Sequence, residues 1–450
     1  MYREKSGAGI GLKRSLNLLV LEIFFAAVYN SCVTGVAYTG FTRMLGINNF
    51  LYGVIMAMPV IGGVLQVFAS HRIENTGKRK RLLLIFGFIN RSSWVAIALI
   101  PFAIPSSGVA ARVLSFMVIY TLSASCGSIA TISYLSLVGD LVPSRVKGRF
   151  FSKRTIASTV ATILAGLAVG KYIDGSNNFR GFAAIFAIAA AFGVASIACY
   201  LWMKSPNMKI PERKIPFLKL FAKPFHDKNY SRFLVFIAVW QFGVCLSDPF
   251  AYIYMLENLK MSYFVISILT QVVSSVMSIT FIRVWGRKSD RFGSKPVLGI
   301  CCSVTAVMPF VWLTVTPGHY AVILVINLLG GIFIAGYNLN ATNMSLWLAP
   351  KENRSIYAAV YNLVIAVLGT ALAYTCGGAI LQYLEPALLR LDLPFVFGQR
   401  LNNFHVLFAL AGVIRLAALL VFLPKVDDKN ATGVKEVLKS FRLRFSGVKG

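Results

Sequence analysis

The chain has 450 residues, of which 57% are hydrophobic and only 14% charged, with a mean hydropathy of +0.70. Soluble domains carry about a quarter charged residues, so a soluble globular protein is excluded. The net charge is +29, but the basic residues lie in short stretches between apolar runs, where they set orientation and face anionic lipid, and a nucleic-acid partner is not expected.

Apolar windows of about 20 residues recur along the whole length, each able to cross a hydrocarbon core of roughly 30 Å as a helix. An all-α, polytopic membrane protein is therefore expected. Twelve spans are predicted, at 17–42, 50–70, 82–103, 112–138, 155–174, 181–203, 231–256, 262–284, 297–316, 320–348, 356–382 and 403–424. They define an N-terminus at 1–16, a first six-helix bundle at 17–203, a central linker at 204–230, a second six-helix bundle at 231–424 and a basic tail at 425–450. The basic N-terminus leads into an apolar stretch too long for a signal-peptide core and is read as a retained first span.

Sides follow from the basic residues. The loops "HRIENTGKRKR", "DLVPSRVKGRFFSKR", the central linker, "GRKSDRFGSK" and "APKENRS", with both termini, hold about 35 of the 45 Lys and Arg, and the opposite loops about six. Both termini and the linker are expected in the cytoplasm, with the chain in the cell membrane.

Ionisable residues inside spans cost about 2.5–3.5 kcal/mol each at the bilayer centre and need a partner or a watery cavity. In chain order these are Glu22, Arg91, Asp248 and Arg415. Glu22 stands two turns from the cytoplasmic end of the first span, close enough to snorkel, to pair with a loop cation or to serve in coupling. Arg91 and Arg415 are expected to turn inward to carbonyls or a carboxylate as structural charges. Asp248 precedes Pro249, which removes a backbone donor and biases residue 248 away from helix. A carboxylate at such a break suits a proton- or cation-coupled site, or caps the broken helix. In the tenth span, "GGIFIAGYNLNATNMSLW" places Gly336, Asn340, Asn343 and Trp347 on one face, with Tyr337 and Asn338 alongside. Thr131, Ser133 and Ser136 of the fourth span align with Asn338, Asn340 and Asn343. Such a repeated polar face suits a solute cavity, or glue between helices. Asn30, Gln241, Tyr361 and Asn362 are further candidates. The tail "VKEVLKSFRLRFSGVKG" reads as a basic helix on the membrane surface or as a disordered tail. All seven cysteines lie in apolar spans and the four histidines are scattered. Neither pattern has metal-ligand spacing, so no metal and no cofactor is expected.

The two halves resemble each other. "NSCVTGVAYTGFTRML" (30–45) aligns without gaps on "QFGVCLSDPFAYIYML" (241–256), "DLVPSRVKGRFF" on "WLAPKENRSIYA", and "ENTGKR" on "DRFGSK", matching Glu74 to Asp290 and Gly77 to Gly293. Three pairs in the same order indicate a parallel repeat.

Two six-span halves, a central linker and a Gly-rich charged loop after the second span of each half resemble the major facilitator superfamily, over about residues 17–424. That family's loop signature, G-x-x-x-D-[RK]-x-G-[RK]-[RK], reads here Gly286, Asp290, Arg291, Gly293, Ser294, Lys295, departing only at Ser294. The first copy, Ser70, Glu74, Asn75, Gly77, Lys78, Arg79, is more degenerate. The resemblance implies that the first, fourth, seventh and tenth spans line a central cavity, that Arg91 and Arg415 lie in peripheral helices, and that Asp290 and Glu74 belong to a cytoplasmic gate. The plain reading of the loop is a tight basic turn that its glycines permit. The resemblance implies a small-molecule solute as partner, with a proton or cation as candidate coupling ion, and a monomer among anionic lipids is expected.

No Walker sequence, HExxH or GxSxG is present, so ATP-driven transport within this chain and enzymatic activity are not expected. The fifth span lacks the GP-containing run of drug-extruding family members, and the fourth lacks their arginine. A secondary active transporter is the leading expectation. The alternatives are an exporter of lipid-like compounds or a nontransporting receptor on the same fold.

Overall fold

The structure is a computed structural model that describes residues 3–76, 78–143, 146–203, 222–318, 320–350, 354–390, 395–396 and 399–428, with 433, 436 and 437. Helix falls on every one of the twelve predicted spans. Among the described residues eleven helices are long and apolar enough to cross a membrane, and Asn49–Val60 adds a shorter apolar stretch. Gly77, most of the linker (204–221) and most of the tail beyond Asp428 lie outside the described residues, as does the side chain of Glu74.

Contacts divide the chain into two units. The first comprises residues 1–214 with 261–268. Its helices are α1 (Arg3–Val33), α2 (Gly35–Met44), α3 (Asn49–Thr76), α4 (Arg79–Ala103), α5 (Val109–Leu141), α6 (Lys147–Gly175) and α7 (Phe179–Ala198). α1 packs on α6 and α7, α4 on α5 and α7, and α3 on α5. An aromatic cluster sits where α2, α4, α5 and α7 meet. Phe41 meets Phe186 edge-on at 4.9 Å, Trp94 meets Phe186 at 4.9 Å, and Phe116 stacks on Tyr120 at 5.6 Å.

The second unit comprises 215–260 and 269–450. After a short turn at Lys223–His226 come α8 (Lys228–Cys245) and α9 (Asp248–Ile253). The brief helix α10 (Tyr263–Ser267) belongs by its contacts to the first unit. There the Asp174 carboxylate accepts the N–H groups of Tyr263 and Phe264 at 2.8 and 3.0 Å, satisfying donors that a helix start leaves open. Gly170 permits that approach, since a Cβ there would stand 2.8 Å from the Tyr263 carbonyl. Then follow α11 (Ser274–Phe292), α12 (Ser294–Val311), α13 (Ala321–Leu348), α14 (Arg354–Val364), α15 (Leu372–Arg390) and α16 (Asn403–Ala417). A two-residue antiparallel pairing joins 395–396 to 399–400. The core of this unit lies along one side of α8, where Phe233 stacks on Tyr361 at 5.9 Å and Trp240 packs on Tyr337 at 5.6 Å.

The sequence repeat has a physical counterpart in how the third helix of each half is tied to the sixth. In the first unit Lys80, at the start of α4, donates to the carbonyls of Leu201 and Met203 just past α7. In the second unit Lys295, at the start of α12, donates to those of Pro424 and Val426 beyond α16. Each ammonium meets carbonyls that a helix end leaves unpaired.

Candidate functional site

The first helix of each unit breaks at matching positions of the repeat. α1 ends at Val33 and α2 restarts at Gly35, whose φ of +61° is open to glycine and costly for other residues. α8 ends at Cys245 and α9 restarts at Asp248. Pro249 has no N–H, so the Cys245 carbonyl loses its helical partner. Each break carries exposed polar side chains: Asn30 and Thr34 in the first unit, Asp248 in the second.

Beside the second break an arginine is clamped by carbonyls and side chains. Arg415 of α16, 6% exposed, donates through Nε to the Gly243 carbonyl at 3.1 Å and through Nη1 to that of Thr305 at 3.2 Å. Its Nη2 reaches the Val244 carbonyl, the Ser247 hydroxyl and Asp248 Oδ1, each at 3.3 Å. Gly243 makes room, because a Cβ there would lie 3.0 Å from Arg415 Cγ. Asp248 itself is 57% exposed. A clamped arginine thus holds one face of an accessible carboxylate.

The first unit has its own buried pair. Glu22 on α1, 5% exposed, accepts from Arg154 Nη2 on α6 at 3.1 Å. The Arg154 guanidinium lies 4.9 Å from the Tyr134 ring centre, within cation–π range. The Tyr200 hydroxyl faces Glu22. Arg91 on α4 lies over the Tyr29 ring at 3.9 Å, and Gly193 lets both approach α7. Arg154, Tyr134 and Tyr200 were missed as site residues by the sequence reading. The span was begun at residue 155, whereas α6 starts at Lys147 and carries Arg154 inward. The spacing of buried Phe150 four residues before Arg154 is the signal that could have found it.

The polar face of the tenth span divides. Asn340 is fully buried, its Nδ2 on the Gly336 carbonyl at 2.8 Å, and Tyr337 packs in the core. Asn338 is exposed and Asn343 half-buried. The aligned residues of α5 repeat the pattern, with Thr131 exposed, Ser133 buried and Ser136 half-buried. Gln241 donates to Cys245 Sγ at 3.1 Å and packs against Gly369, where a Cβ would meet it at 2.7 Å. Tyr361 is buried against Phe233, and Asn362 is exposed.

At the charged turn, Gly293 has φ +87° and its N–H closes on the Ser289 carbonyl at 2.9 Å, so α11 reverses directly into α12. Asp290 and Arg291 are exposed, and a Cβ at Gly286 would stand 3.9 Å from the Leu339 side chain. No ion pair to Asp290 occurs among the described residues. On the aligned first-unit turn, Arg79 is buried and pairs with Asp140 and Ser136 at the end of α5.

Residues 233–448 match the family model described as Major Facilitator Superfamily. The match spans just under half of the chain, most of it in the second unit. Solved structures of the same fold include a mutant of the nucleoside transporter NupG, with a TM-score of 0.70, 15% identity and coverage of 92% of this chain and 100% of that one. A bacterial homologue of the iron transporter ferroportin in an inward-facing state gives 0.68 at 13% identity, covering 92% and 99%. The D-xylose–proton symporter gives 0.64 at 17% identity, covering 94% and 99%. No curated protein is significantly similar in sequence. The fold is thus the twelve-helix major facilitator fold, and its apolar helices make the protein a multi-pass membrane protein.

Proposed function

We propose that this major facilitator protein is a secondary active transporter of a small polar solute, working by alternating access and coupled to a proton or cation at Asp248. The observation that carries the reading is the half-exposed Asp248 carboxylate at the break of α8 and α9, held on one oxygen by a fully engaged arginine. Broken helices at corresponding positions of two repeats are the sequence-readable mark of a binding site in such transporters. In the second unit, Asn338 on α13 and Gln241 on α8 supply hydrogen-bonding groups for the solute, and Asn30 and Thr34 are the exposed polar groups at the break of the first unit. Nucleosides and pentoses head the trial ligands, because structures of similar fold carry nucleosides and D-xylose. The excess of basic residues on one set of loops supports cytoplasmic termini in the cell membrane, beside anionic lipid. Asp290, with Gly286, Arg291 and Gly293, is the proposed gate residue of the charged turn, with Glu74 and Gly77 its first-half counterparts.

A thermal-shift screen of the purified transporter identifies the ligand, since a compound at about 100 times its Kd stabilises by roughly 2.7 kcal/mol. Uptake of that ligand is then measured with Asp248→Asn in parallel. Uphill accumulation disappears in the variant while downhill exchange persists. Unchanged accumulation would remove Asp248 from coupling.

A further inference from the structure

The Glu22 cluster is out of charge balance. Two arginines, Arg154 and Arg91, share a single carboxylate inside the first unit. Arg154 Nε and Arg91 Nε are inaccessible and have no hydrogen-bond partner among the described residues. The Tyr134 hydroxyl is inaccessible and within reach of the Arg154 guanidinium. A purely structural pair would spread its donors over carbonyls, as Arg415 does. Here an uncompensated cation and two unpaired guanidinium N–H groups are held among packed helices, where each is costly unless an anion completes the set.

We propose that this cluster is an oxyanion site with a built-in proton exchange. A solute carrying a carboxylate or phosphate group takes the place of Glu22 on the Arg154 guanidinium, with the Tyr134 hydroxyl as a further donor. Glu22 leaves the ion pair by taking one proton from water on its carboxylate oxygen. One negative charge and one proton therefore enter together, and the guanidinium keeps its charge throughout. The groups facing Glu22 are Arg154 on α6, Arg91 on α4, Tyr134 on α5, and Cys199 and Tyr200 just past α7, with Tyr29 a further two turns along α1 beside Arg91. None is a second carboxylate, so Glu22 is the group that exchanges the proton. Lys13 and Arg14, exposed two turns earlier on α1, raise the local positive potential that draws an anion in.

As cargo, this anion rests on the transporter reading, but binding is tested without flux, so the two fail separately. The full chain, in nanodiscs of zwitterionic lipid, is titrated with lactate and with inorganic phosphate against chloride at matched ionic strength. Lactate keeps its charge over the range used, which isolates the protein's own proton. In the native protein, lactate or phosphate binding strengthens as pH falls from about 8 to about 5.5, the direction set by proton uptake on Glu22. Glu22→Gln binds lactate about tenfold more tightly near neutral pH and loses the pH dependence of lactate binding, because the amide no longer competes as an anion for the guanidinium. Arg154→Gln abolishes binding in both backgrounds. Tyr134→Phe guards against a folding failure of that variant: with its melting point unchanged, it weakens lactate or phosphate binding severalfold in the Glu22→Gln background. Response to lactate alone or phosphate alone assigns the class of oxyanion. No oxyanion response in Glu22→Gln, or one that survives Arg154→Gln or Tyr134→Phe undiminished, overturns the site and leaves the coupling role of Asp248 untouched.

Discussion

Arg154–Glu22 in the first unit and Arg415–Asp248 in the second are arginine–carboxylate pairs built in opposite ways. Arg415 has all three guanidinium nitrogens engaged, with three carbonyls, a hydroxyl and Asp248, while its carboxylate is 57% exposed. Arg154 is only partly engaged, and its carboxylate, Glu22, is 5% exposed. The difference separates structural from adjustable charge. An arginine whose donors are spent on backbone holds a helix break shut, and its acid partner is left for outside contacts. An arginine with unspent donors is open to a second anion.

The most forceful way to break this contrast is to remove the fully engaged arginine. Arg415→Met leaves the carbonyls of Gly243, Val244 and Thr305 without their donor, and unfolding stability in detergent is expected to fall by about 3–5 kcal/mol. A loss of under about 1 kcal/mol would mean that the break holds itself together. Next in size is Gly243→Ala, which sets a Cβ 3.2 Å from the Arg415 backbone nitrogen. It is expected to cost about 1–3 kcal/mol by overpacking α8 against α16. Gly63→Ala, with open space around its Cβ, serves as the unstrained control.

A smaller effect sharpens the first-unit side. Arg154→Lys keeps the charge but loses the planar fork and its seat on the Tyr134 ring, at about 1 kcal/mol. Equal losses from Arg154→Lys and Arg154→Gln in chemical unfolding would show that the charge itself contributes nothing. Smallest are the paired lysine caps. Lys80→Gln and Lys295→Gln are each expected to lower stability by about 0.5–1 kcal/mol, with similar values because each loses two carbonyl contacts. A clear inequality would show that the repeat is not equivalent at its third helices.

Much of the fold was legible because a bilayer leaves a helix few alternatives. Every apolar run of sufficient length became one, and the matched stretches 30–45 and 241–256 contain both breaks, of which only the one beside Pro249 was expected. Asp248 was legible for the same reason, since a carboxylate beside proline in an apolar run advertises itself. Arg154 was not, because it sits among Arg149, Lys153 and other loop-like charges, and only the early start of α6 carries it into the bundle. Asn340 and Asn338 show the reverse difficulty. Two positions apart, they differ by about 200° around the helix, so one is packed against its own Gly336 carbonyl and the other is open.

By itself, then, the sequence determined the class of protein, the number of spans, the repeat and the family resemblance, all of which follow from hydropathy and local spacing. Which arginine finds which carboxylate was decided only by the tertiary structure. Glu22 and Arg154 are 132 residues apart, and Asp248 and Arg415 are 167. Each pair is set by how helices distant in the chain rotate and pack, and composition carries no record of that rotation.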